Sequence, residues 1–192
     1  MVAFSHAPLE MCSAQRLRLS AFNVAACPDV HCHCLPGLDD GPQTLADAIA
    51  LCRALADDGI TAVVASPHQM GRYDGRNSPL EIRQAVADLT AALKAERIFL
   101  NIHPGADVRI DERLGDLLDR DQVSTIADHG KYLLLELPHD TMIDPLEVIG
   151  ALRSRGVTSI VTHPERHPYL GPKPGLGIPW IEAGAMFQVT AA

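Results

Sequence analysis

The sequence has 192 residues, of which 47 % are hydrophobic, 21 % charged and 4 % aromatic, and its formal net charge is −8. A chain of that length builds one domain, or two small ones, and buries a core without disulfide staples. The acidic balance argues against a nucleic-acid partner, and no apolar run approaches the roughly 18 to 20 residues of a membrane span, so neither nucleic-acid binding nor membrane insertion is expected.

Residues 1–26 show no clear period and lack the apolar block of a secretory signal. They read as a flexible N-terminal extension, with a cytoplasmic address and a domain over 27–192. Five cysteines, an odd number with four between positions 27 and 52, do not form a secreted disulfide framework and read as reduced. Cys12 opens a cysteine, five residues, arginine pattern reminiscent of thiol phosphatases. Arg16 and Leu17 replace the small residues that a phosphate-cradling loop needs, so this match carries little.

From Cys27 onward, β-type runs alternate with helical patterns. Asp29 to Cys34 precedes a helix over Thr44 to Asp58, and Ile60 to Ser66 precedes one over Pro79 to Ala95. Ile98 to Gly105 is followed by a helix over Arg109 to Arg120, and Tyr132 to Leu137 by one over Pro145 to Arg155. Val157 to Thr162 leads into a Gly/Pro-rich surface loop over Gly171 to Pro179 and a short run over Met186 to Thr190. Such alternation predicts parallel βαβ units. The helix after Thr44 sets Leu45, Ala48, Ile49, Cys52 and Leu55 on one stripe, and Ala62-Val63-Val64-Ala65 and Tyr132-Leu133-Leu134-Leu135 read as strands covered on both faces.

The polar residues cluster at the ends of those runs. His31 and His33 alternate with Cys32 and Cys34, so the imidazoles share one face of the strand and the thiols the other. A two-Cys, two-His zinc site is thereby disfavoured, while two imidazoles can grip one metal. Two buried, hydrogen-bonded histidines are the plainer alternative. His68, Asp107, Glu136 and His163 follow at or near the ends of the next four runs, with Asp39 and Asp40 beyond the first. In a parallel barrel that face builds the active site. For Asp39 a solvated turn serves equally well. Imidazole plus carboxylate suits two or more ions such as Mn²⁺, Fe²⁺ or Zn²⁺, which activate water and polarise phosphoryl oxygens, and Arg166 offers a planar fork to a phosphate.

The stretch Asp29-Val30-His31-Cys32-His33-Cys34-Leu35-Pro36-Gly37-Leu38-Asp39-Asp40-Gly41 resembles the opening of the metal-dependent tyrosine-protein phosphatases of bacterial capsule and exopolysaccharide loci, the CpsB/CapC type within the PHP (polymerase and histidinol phosphatase) superfamily. Ala65 to His68, Gly105 to Arg109, Leu134 to Pro138 and Thr162 to Arg166 resemble its next four motifs in order. The resemblance implies an α/β fold, a distorted TIM-like barrel of parallel βα units. It implies two or three divalent ions, with Mn²⁺ first and Fe²⁺, Zn²⁺ or Mg²⁺ admitted. The implied ligands are His31, His33, Asp40, His68, Asp107, Glu136 and His163, and the implied catalytic residues Arg166 and Asp40. Asp107 stands where the family has glutamate. The implied substrate is a phosphotyrosine protein, a tyrosine kinase of polysaccharide export.

The family's terminal Ser-Asp-x-His motif does not occur in the sequence, which leads us to expect a truncated member whose barrel is incomplete at the C-terminus. An uncovered sheet edge would favour homo-oligomers. Other readings are a small-molecule phosphatase of the histidinol-phosphate type, an amidohydrolase-like metal hydrolase, and an inactive metal-binding remnant.

Overall fold

The computed structural model describes residues 27–190; the extension over 1–26 and the Cys12 pattern lie outside the described residues. The first strand, β1 (Pro28–Cys32), leads through a turn to helix α1 (Leu45–Asp57). Thr44 caps that helix by accepting a hydrogen bond from the Asp47 N–H at 3.2 Å, and Gly59, at φ +93°, turns the chain toward the next strand. Ala48 and Cys52 are buried on the expected stripe. Leu45, at the exposed start of the helix, stays 47 % accessible, contrary to the periodic reading.

β2 (Ala62–Ala65) and β4 (Asn101–Pro104) fall inside the predicted runs Ile60 to Ser66 and Ile98 to Gly105, while β3 (His68–Gln69) and β5 (Asp107–Arg109) are short strands that follow just beyond them. Between β3 and β4 lies α2 (Pro79–Ala95), whose Ser78 and Glu81 form a reciprocal capping box with proline at the first helical position. All pairings among the named strands are parallel, in two sheets ordered β1-β2-β4 and β3-β5 followed by β6 (Tyr132–Glu136), β7 (Thr158–Thr162) and β8 (Met186–Gln188). The break falls at Pro67, which has no N–H to give a ladder, and at Gly105-Ala106. A Cβ on Gly105 would lie 2.5 Å from Val64 Cγ1, so close passage of the two strands requires glycine there.

Two corrections to the sequence reading follow. The helix expected from Arg109 shrinks to α3 (Leu114–Asp119), because Arg109 completes β5 opposite Glu136. The Gly/Pro-rich loop contains a 3-10 turn over Pro174–Gly177 and then α5 (Ile178–Glu182), with Pro179 inside the first turn, where its missing N–H costs nothing. Leu133, Leu134 and Leu135 are fully buried, as expected for a strand covered on both faces, but Tyr132, at the open start of that strand, stays 43 % accessible, contrary to the sequence reading. On the outer side α2 packs against β4 and α1, and α4 (Leu146–Ser154) against β7 and α3.

Candidate metal centre

The strand registers assemble the site. Pairing sets His68 beside Asp107 and Arg109 beside Glu136, while Thr162 lies beside Gln188. His31 and His33 project to the same side of β1. His163 follows β7 in a left-handed conformation, φ 34° and ψ 49°, directly before Pro164. A non-glycine residue pays on the order of 1 kcal/mol or more for that backbone, and here it directs the imidazole inward.

Asp107 is the centre of the arrangement. Its side chain is fully buried, and Oδ2 lies 3.5 Å from His31 Nε2 and 3.6 Å from both His68 Nδ1 and His163 Nε2. Oδ1 accepts from the Thr162 hydroxyl at 3.0 Å. Burial alone would raise the Asp107 pKa, but the nearby imidazoles of His163, His31 and His68 hold it below the usual carboxylate range. Burial pulls His31 below its ordinary value despite Asp107 and Gln188. For His68 the desolvation is outweighed by Glu136, Asp107 and Asp40, and its pKa rises.

Two histidines show why the site fits cations. His31 Nδ1 lies 2.9 Å from Gln188 Oε1, and His33 Nδ1 lies 2.6 Å from Asp39 Oδ2. Both acceptors fix the ring proton on Nδ1, so in the neutral rings both Nε2 atoms carry lone pairs. Those two nitrogens face each other at 3.1 Å. Asp107 Oδ2 and His68 Nδ1 are likewise buried without a hydrogen-bond partner. Imidazole nitrogens and carboxylate oxygens converge there, which is the donor set a divalent ion of intermediate hardness requires.

The geometry groups these atoms into three overlapping sets: His33, Asp39, Asp40 and His68; His31, Asp107 and His163; and His68, Asp107 and Glu136. Every sequence-derived ligand candidate therefore falls in one connected cluster. Asp40 is the most open of them, with its side chain 57 % accessible; Oδ1 lies 3.6 Å from His68 Nε2, and Oδ2 pairs with Arg72 at 3.2 Å. Arg166, in a 3-10 turn after His163, is 59 % accessible and lines a cavity of about 730 Å³ together with His31, His33, Asp40, His68, Glu136 and His163.

Of the residues that hold the cluster in place, sequence reasoning left Asp39 open and missed Arg109 and Gln188. Asp39 is no solvated turn: its carboxylate is 1 % accessible and accepts from His33, from the Gly41 N–H at 2.9 Å and from the His68 N–H at 3.0 Å. Burial would raise its pKa, and these bonds lower it instead. Arg109 grips Glu136 through two nitrogens at 3.1 Å and donates to the Leu137 carbonyl. The i, i+2 spacing from Asp107 would have revealed Arg109 had the strand been extended from Gly105 by four residues. Gln188 carries no local signal. Its role depends on β8 lying across the site from β1.

Fold and site together define a parallel α/β protein with a carboxylate–imidazole cluster whose donor atoms could hold metal ions. The family model for capsular polysaccharide synthesis, CpsB/CapC, matches residues 27–192, and the chain belongs to that family. It is 34 % identical over 165 residues to the tyrosine-protein phosphatase YwqE of Bacillus subtilis (strain 168), covering 85 % of this chain and 64 % of that protein. It is 27 % identical over 166 residues, with the same coverages, to the putative tyrosine-protein phosphatase CapC of Staphylococcus aureus. Among solved structures it matches the work on YwqE from Bacillus subtilis and CpsB from Streptococcus pneumoniae, described as unique metal-dependent tyrosine phosphatases. That match has a TM-score of 0.80 and 32 % identity, over 84 % of this chain and 65 % of the other. The chain thus spans just under two thirds of the length of these relatives.

Proposed function

We propose that the chain is a metal-dependent protein-tyrosine phosphatase, with residues 27–192 as its PHP-type domain and the two sheets as parts of a distorted TIM-like barrel. The observation that carries this reading is the pair of Nε2 atoms of His31 and His33, 3.1 Å apart beside the unpartnered Asp107 Oδ2. The names of the relatives support phosphotyrosine as the group hydrolysed.

His31, His33, Asp40, His68, Asp107, Glu136 and His163 would hold two or three ions, Mn²⁺ foremost. When bound, such ions supply Lewis acidity to a phosphoryl oxygen and acidify water. The Arg166 guanidinium binds the substrate phosphate with its planar fork. Asp40, the carboxylate nearest the open cavity, orients the attacking water and accepts its proton. Asp39 and Gln188 keep the protons of His33 and His31 on Nδ1, and Arg109 holds Glu136 in one orientation. No thiol takes part.

In this reading the protein works in the cytoplasm on a phosphotyrosine protein, a polysaccharide-export tyrosine kinase, and the outer edges of β1 and β8 favour association with a second copy. Among the described residues no helix is long and apolar enough to cross a membrane. The test uses the 192-residue chain, stripped with a chelator and reloaded with Mn²⁺, on a phosphotyrosine peptide and on histidinol phosphate. We expect hydrolysis of the peptide that chelation removes and Mn²⁺ restores. Preference for histidinol phosphate would establish the small-molecule reading, and tight metal binding without hydrolysis of either would establish the inactive metal-binding one.

A further inference from the structure

The loop that carries Arg166 contains a buried histidine for which the hydrolysis above has no use. Arg166 ends the 3-10 turn Pro164–Arg166, and among the described residues its guanidinium has one ion pair, to Glu165 at 3.8 Å. An exposed contact of that length does not fix a side chain, so the place of the guanidinium depends on where the backbone of the turn is held. The next residue, His167, is only 4 % accessible. Its Nε2 lies 2.9 Å from the Pro138 carbonyl oxygen, and its Nδ1 lies 3.3 Å from the Tyr169 backbone nitrogen. A carbonyl only accepts and an amide N–H only donates, so the ring proton is on Nε2 and one tautomer makes both bonds.

The bond to Pro138 joins two segments that meet at the cavity. Pro138 follows Glu136 and Leu137 at the end of β6, where Arg109 already donates to the Leu137 carbonyl, and it precedes His139, which lines the same cavity as Arg166. His139 stacks on His163, with ring centroids 5.8 Å apart and planes at 16°. The Arg166 loop also closes on itself. The Gly171 N–H donates to the His167 carbonyl at 2.9 Å, and a Cβ on Gly171 would lie 2.5 Å from the Glu165 carbonyl oxygen. Leu170, 3 % accessible, anchors that end in the core, and the Glu165 carboxylate accepts from the Thr190 N–H at 3.2 Å. The loop is therefore stiff in itself, tied beyond β8 by Glu165 and to β6, the strand that bears Glu136, by His167.

We infer that His167 is a positioning residue for Arg166: its buried imidazole holds the guanidinium-bearing turn against the end of β6 and so sets how tightly a phosphate group is bound. The inference rests on the phosphate-binding role proposed above for Arg166 and adds the residue through which that role depends on β6. A buried imidazole that lost its acceptor would keep an unpaired N–H away from water, so the bond holds the turn in one place. A shift of about 1 Å in the turn is enough to take a planar guanidinium out of two-point contact with a phosphate.

The test reads binding, not turnover. Inorganic phosphate is titrated by calorimetry into the Mn²⁺-loaded 192-residue chain and into His167→Asn, His167→Gln, Arg166→Ala and the double variant Arg166→Ala/His167→Asn. Both replacements at 167 are amides, but the glutamine amide reaches where the imidazole Nε2 lies and the asparagine amide only as far as Nδ1. Glutamine thus keeps the donor to Pro138 and asparagine loses it. We expect phosphate affinity to fall about tenfold in His167→Asn and to stay near that of the parent in His167→Gln. The double variant should bind no more weakly than Arg166→Ala alone, because His167 acts through Arg166. Equal affinities in the Asn and Gln variants, or losses that add in the double variant, would overturn the inference and leave Arg166 as the phosphate ligand. An unchanged affinity in Arg166→Ala, or no binding by the parent, would overturn both the inference and that role. The expected pattern of phosphate binding without hydrolysis of the phosphotyrosine peptide would uphold the inference and overturn only the enzyme reading.

Discussion

At the scale of single residues, Gly41 shows how narrowly the first motif is constrained. A Cβ at that position would lie 2.5 Å from the His33 carbonyl oxygen and 3.2 Å from Asp39 Oδ1. Because the first clash is with backbone, Gly41→Ala must displace the turn that carries Asp39 and Asp40. We expect this variant to remain folded but to bind Mn²⁺ more weakly, by calorimetric titration; unchanged affinity would show that the turn does not position the cluster. Asp39→Asn tests the same support through chemistry. It removes the charge that holds the His33 proton on Nδ1 and should reduce metal affinity about 10- to 100-fold. An affinity equal to that of the parent would mean that Asp39 merely fills space. The sequence left Asp39 open between rim carboxylate and solvated turn, because its burial depends on His68 arriving from another strand.

At the scale of elements, the capping box of α2 is a local device that the sequence displays in full. Ser78 Oγ accepts from the Glu81 N–H at 3.3 Å, and Glu81 Oε2 accepts from the Ser78 N–H at 2.7 Å. Ser78→Ala should cost about 1 kcal/mol in chemical denaturation without changing metal binding. In β6, Leu133→Ala should cost roughly 2 to 5 kcal/mol, because the side chain is fully buried and a cavity would remain. A loss below 1 kcal/mol by the same measurement would show that neighbouring helices collapse into the space. β3 and β5 were not legible. The apolar runs stop at Ser66 and Gly105, and only the hydrogen-bond ladders reveal that the short polar segments after them, His68–Gln69 and Asp107–Arg109, are strands of a second sheet.

At the scale of the whole molecule, stability should follow both metal and acid. If the ions bind only the folded chain, a concentration a hundredfold above the dissociation constant adds about 2.7 kcal/mol, a rise of roughly 5 to 10 °C in melting temperature over the chelated protein. Equal melting curves with and without Mn²⁺ would deny that the cluster is a metal site. The acid limb has another origin. Arg83 binds Asp121 and Asp128, Arg155 binds Asp119, and Arg113 binds Asp111. Asp121, Asp119 and Asp111 are thereby held below the usual carboxylate range. As pH falls, the unfolded chain takes up protons first. The stabilisation is therefore full above about pH 4 to 5 and is lost as the pH drops through the depressed values. Urea midpoints that stayed level down to about pH 3 would contradict this account.

The order of ligand-bearing motifs, the parallel βα rhythm and the opposed faces of His31-Cys32-His33-Cys34 were all determined by the sequence, because each is a matter of spacing along an extended or helical chain. Tertiary structure alone decided that Gln188 reaches His31 across 157 positions, that Arg109 belongs to a strand and that Asp39 is buried. These facts depend on registers between distant strands, which minimise exposed apolar surface and unpaired charge over the whole fold and leave no mark on any single segment.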